Sequence, residues 1–69
     1  MIPNKGDTIQ LIEMPNDPHP IEPGSKGIVT FIQDIGNNEV QIGVDWENGR
    51  RLFLIYPVDK FKIIKKANS

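Results

Sequence analysis

The stretch MPNDPHPIEPGSKG, from Met14 to Gly27, places four of the chain's six prolines and its only histidine between two strand-like runs. Proline locks its own φ, lacks an N–H, and pushes the residue before it into an extended conformation. Asp17, His19 and Glu22 each precede a proline and are held away from helix. The flanking segments must therefore fold as short elements joined by a long, stiff connection. Stiffness also reduces the entropy lost on binding, so the segment reads as a rigid, polar, projecting recognition loop.

Around this loop the pattern is one of alternation. Thr8–Met14 sets Ile9 and Leu11 on one face and predicts strand one, while Gly27–Asp34, rich in β-branched and aromatic residues, predicts strand two. Residues 35–38 form a turn. In strand three Val40, Ile42, Val44 and Trp46 alternate with Gln41, Gly43 and Asp45, and Gly43 marks a bend, a bulge or a close backbone approach. Asn48-Gly49 predicts a two-residue type I′ hairpin turn. Arg50–Ile55 then reads as strand four, Tyr56–Asp59 as one 3₁₀ turn, and Phe61, Ile63 and Ile64 as strand five, with Lys65–Ser69 a frayed tail. The expected core is Ile9, Leu11, Val29, Phe31, Val40, Ile42, Val44, Leu52, Leu54, Phe61 and Ile63. These elements predict an all-β, five-stranded SH3-like barrel with a long proline-rich first loop. An OB-fold ranks below it, because only Asn48-Gly49 separates strands three and four where that fold needs a helix.

Sixty-nine residues make a single domain, residues 1–69, with an ordered core of about 5–65. The absence of cysteine excludes disulfide staples, thiolate catalysis and cysteine-based zinc sites. No apolar run is long enough to span a membrane, and Met1-Ile2-Pro3-Asn4-Lys5 opens without the basic and apolar regions of a signal peptide, so a cytoplasmic protein is expected. The net charge of −1 is unevenly spread. Residues 1–48 carry Lys5 and Lys26 against eight acidic side chains, giving −6, and residues 49–69 carry six basic side chains against Asp59, giving +5. That argues against avid non-specific DNA binding but leaves room for a local anionic ligand.

The segments G-D-T-I-Q-L-I-E-M, N-D-P-H-P-I-E-P-G-S-K-G-I-V, V-D-W-E-N-G-R and V-D-K-F-K-I-I together resemble a family of short bacterial and phage domains of unknown function, frequent in mobile elements of Gram-positive organisms. The resemblance runs from Gly6 to about Ile64 and implies a small SH3-like fold without an assigned activity. The chain departs from that pattern at Gln41-Ile42-Gly43, which lengthens the approach to Val44-Asp45-Trp46. A more distant likeness, G-x-V followed by V-x-W-x-N-G, is to the SH3-like substrate-binding domains of mind-bomb-type ubiquitin ligases, an analogy of fold alone.

No catalytic signature emerges. Pro23-Gly24-Ser25-Lys26-Gly27 lacks the spacing of a phosphate loop and runs into strand, so Pro-Gly reads as a turn with positive φ at Gly24. Asp17, His19 and Glu22 are too few and too rigidly spaced for a zinc site, and Asn16-Asp17-Pro18 reads as an Asx-type turn. Trp46 falls in the core by its alternation, or else at the barrel rim as a stacking platform beside Tyr56 and Arg51. The expected binding surface joins residues 15–23 to the 46–51 hairpin: Asn16, Asp17 and His19 for polar contacts, Trp46 and Tyr56 for apolar area, Arg50 and Arg51 for charge. The expected function is a non-enzymatic module that binds a protein, a host factor if the mobile-element resemblance carries over, with no cofactor, metal or membrane. Nucleic-acid or nucleotide binding through Arg50, Arg51, Lys60, Lys62, Lys65 and Lys66 ranks second, and a structural homo-oligomer subunit third.

Overall fold

Alternating apolar residues become five antiparallel strands in one sheet. The structure, a computed structural model, describes residues 2–67. The strands are β1 (Thr8–Glu13), β2 (Lys26–Gly36), β3 (Glu39–Trp46), β4 (Leu54–Tyr56) and β5 (Lys60–Lys65), in the order β4-β3-β2-β1-β5. No helix occurs among the described residues. The domain is therefore all-β, as expected, but the barrel does not close. The outer edge of β4 is occupied by its own following turn: Asp59 N donates to Ile55 O at 2.8 Å, and Ile55 N donates to the Asp59 carboxylate at 2.8 Å. Those two groups are no longer open to β5, which pairs with β1 instead. The same clamp replaces the expected 3₁₀ turn, because it closes over four residues rather than three.

The core forms where alternation is strict. Ile9 and Leu11 of β1, Val29 of β2, Ile42, Val44 and Trp46 of β3 and Leu54 of β4 are buried together, with Val40, Leu52, Tyr56, Phe61 and Ile63 half-buried around them. Trp46 is 2% exposed, and its indole N–H donates to Leu52 O at 3.0 Å, so the buried ring is polar-satisfied.

Phe31 departs from the expected core and is 37% exposed. In the β2–β3 ladder Val29 faces Val44 and Phe31 faces Gly43, so Thr30 is an extra residue on β2. Such a bulge reverses the side-chain parity beyond it, which turns Phe31 to the outer face. There its ring lies over Gly43, where any Cβ would overlap it. This is the close approach for which glycine is needed mid-strand.

The two-residue primed turn expected at Asn48-Gly49 occurs instead at the first hairpin. Asn37 and Asn38 both have positive φ, 56° and 61°, as a two-residue primed turn needs. After β3 the loop has three residues, Glu47-Asn48-Gly49, closed by Gly49 N to Trp46 O at 2.9 Å and Trp46 N to Arg50 O at 3.1 Å. Only Gly49 has positive φ, at 85°, while the Asn48 side chain accepts from Arg50 N at 3.0 Å, an Asx turn that holds Asn48 in the ordinary region. Residues 50–53 also leave the strand pattern, with Arg50 O and Leu52 O serving Trp46 and β4 starting only at Leu54.

Candidate functional site

The connection between β1 and β2 does not project. Ile21 is fully buried and Met14 nearly so, which folds the segment back over the open side of the sheet. Its far end is zipped to β1 by Gly24 N to Leu11 O at 2.8 Å and Leu11 N to Ser25 O at 2.9 Å. Gly24 takes positive φ, 91°, at the Pro-Gly turn. At the near end Asp17 Oδ1 accepts from His19 N at 2.8 Å, a local turn of the Asx type. Arg50 then ties the connection to the hairpin by donating to His19 O at 2.7 Å and to Pro20 O at 3.1 Å. Its guanidinium is thus a brace for the loop backbone rather than free charge.

The expected site residues fall into separate places. Asn16 and Asp17 line a groove of about 310 Å³ with Met14, Pro18, Phe53 and Asp59. Arg51 lies in a neighbouring groove with Thr30, Phe31, Asp45 and Phe53. Tyr56 faces another, with Ile12, Lys60 and Phe61, and stacks edge-on against Phe61 at 6.2 Å. His19 is exposed beside Arg50. Trp46 lies beneath the surface and offers no apolar area to a partner.

Phe53 links the first two grooves. It is 49% exposed and meets Phe31 edge to face at 5.4 Å. Leu52 and Leu54 bracket it, so alternation alone already sets Phe53 on the outer face. The other unforeseen residue is Asp59, which is 8% exposed. Burial pushes its carboxyl up, the Ile55 N–H opposes that, and the negative charge of Asp17 adds to the rise. Among the described residues no three His, Asp or Glu side chains gather as a metal site requires. No helix in the described residues is long and apolar enough to cross a membrane.

The molecule is an all-β, single-sheet domain in which Phe53, paired with Phe31, lines two of the surface grooves. The chain belongs to the family described as Domain of unknown function (DUF4314), whose match covers residues 3–64. No curated protein and no solved structure matches it.

Proposed function

We propose that this domain is a non-enzymatic protein-binding module whose partner docks on the face around Phe53. The observation that carries this reading is the exposed, edge-to-face Phe31–Phe53 pair, seated over Gly43 and bordered by a groove on either side. Exposed aromatic side chains held by their neighbours are the usual anchors of protein interfaces, because they bury large area at small entropic cost. The polar rim is supplied by Asn16 and Asp17 on one side and Arg51 on the other. An SH3-like ancestry is supported by the strand order, in which β1 to β4 follow as a meander and β5 returns to pair with β1. The likeness to phage and mobile-element domains favours a host protein as partner.

Cross-linking capture from the native cell tests the reading. The wild-type chain should retain a partner that the Phe31→Ala/Phe53→Ala variant loses, while both give the same far-ultraviolet spectrum and thermal midpoint within a few degrees. Equal capture by a folded double variant would defeat the proposal.

A further inference from the structure

We infer that the groove between Asp17 and Asp59 is a socket for the arginine or lysine side chain of a partner polypeptide. This rests on the protein-binding reading above and specifies what that surface recognises. The walls of the groove are apolar, with Met14, Pro18 and Phe53 positioned to cover an aliphatic stem. Asn16, Asp17 and Asp59 supply the acceptors, and no basic residue lines the groove. Long cationic side chains bury their methylenes on such walls while their heads seek charge partners.

Asp59 makes this more than a group of surface acids. It is more than nine-tenths buried, and only its Oδ2 is engaged, by Ile55 N. Its other carboxylate oxygen has no donor among the described residues and is not sealed off, and the residue borders both this groove and the one lined by Tyr56, Lys60 and Lys62. Asp17 is engaged in the same one-sided way, with Oδ1 held by His19 N. Each carboxylate is thereby oriented by a backbone N–H at one of its two oxygens.

Two of the neighbouring cations are directed elsewhere, while Lys62 lies along the other groove that Asp59 borders. Arg50 is held by the carbonyls of His19 and Pro20, and Lys60 Nζ reaches Pro57 O at 3.4 Å. Burial and the Asp17 charge both act against ionised Asp59, a cost that an incoming cation relieves. Two acid groups are too few for a protein-held metal but suit a guanidinium or ammonium head, whose hydrogen bonds to carboxylate are charge-assisted.

The test uses the full chain and four degenerate libraries of short capped peptides, each with arginine, lysine, citrulline or norleucine at one fixed position, read by fluorescence anisotropy. Citrulline retains the shape of arginine without its charge. The arginine and lysine libraries should bind at least ~10-fold more tightly than the other two, about the effect of one charge-assisted contact. Asp17→Asn and Asp59→Asn retain an oxygen for His19 N and Ile55 N. They should bring the four libraries to the same affinity, with folding checked by amide NMR spectra. Citrulline binding as well as arginine, or no library binding at all, would overturn the socket. Partner capture separates this failure from that of the module itself. Dependence on Phe31 and Phe53 but not on Asp17 and Asp59 removes the socket and leaves the module, whereas dependence on neither removes both.

Discussion

Gly49 has positive φ and open space where a Cβ would stand, so substitution there is a test of backbone conformation alone. Gly49→Val should lower stability by about 1–2 kcal/mol, visible as a drop in thermal midpoint, because a β-branched residue resists φ > 0. An unchanged midpoint would show that the loop has another conformation. Gly43→Ala probes the opposite situation, a crowded site with ordinary φ. The new methyl should push the Phe31 ring off strand β3 and abolish its contact with Phe53, read as loss of the aromatic cross-peaks between the two rings. Asp7 tests electrostatics. It is buried, its Oδ2 accepts from Asn4 N at 2.8 Å and its Oδ1 from Ala67 N at 2.9 Å. The Asn4 bond, then the Ala67 bond, outweigh desolvation and, with the Lys66 charge, hold its carboxyl below the ordinary value of 3.8. A lowered folded pKa means stability that is present above the unfolded value and lost as pH falls through the folded one. Asp59 has the opposite sign, since its raised pKa lets the folded state regain stability on acidification. Asp7→Asn should therefore lower the midpoint at neutral pH and flatten the loss below about pH 4, whereas Asp59→Asn should leave the acid loss in place. An acid profile unchanged by Asp7→Asn would refute the assignment. Asp7 stood next to a turn glycine in the sequence, but its second partner lies near the other chain end, beyond any local pattern.

Among the elements, the connection between β1 and β2 changes most from expectation. Its prolines were legible as stiffness, but stiffness does not say which way a segment points. Ile21, a lone apolar residue among prolines and acids, has no period to reveal its burial. Once buried, it makes the connection part of the core. Ile21→Ala should cost about 2–5 kcal/mol in urea unfolding, a large share of what a domain this size possesses. Ile12→Ala, on the exposed face of β1, should stay within about 0.5 kcal/mol. Equal, small losses at both positions would mean that the connection is only a surface loop. The strands were legible to the degree that their backbone groups go to neighbouring strands. β1 and β3 show this, with alternating residues that reach the core. Residues 50–53 alternate just as well, yet two of their carbonyls serve Trp46 and the ladder starts later. Phe31 was misplaced because a bulge is a count of backbone residues on two strands, which no single strand's pattern contains. The candidate site suffered likewise. Asn16 and Asp17 stand out in the sequence by turn chemistry, but Asp59 comes to line the same groove only through the fold.

At the scale of the whole molecule much of the basic segment maps onto one edge of the sheet. The positive residues of the last third follow the edge strand β5, where Lys60 stands opposite Glu13, Lys62 opposite Gln10 and Lys65 opposite Thr8. Lysines on an edge strand discourage pairing with another sheet, which gives this row a structural reason independent of any ligand. Arg50, counted among the candidate phosphate contacts, already donates to two carbonyls of the β1–β2 connection. The molecule measures 31 × 26 × 17 Å, so at about 0.1 M salt, where the screening length is about 10 Å, the acidic side chains lie within a few screening lengths of the lysines. A phosphate backbone approaching β5 therefore meets attraction from the row and repulsion from a chain of net charge −1. Titration with short single- and double-stranded oligonucleotides at low and physiological salt should give no saturable binding at either. Nucleic-acid recognition would instead appear as affinity falling steeply with salt, its logarithmic slope shrinking by about 1 for each removed lysine that contacts phosphate. Finding that slope, and its reduction in Lys60→Ala and Lys62→Ala, would move the functional surface from Phe53 to β5 and replace the protein-binding reading.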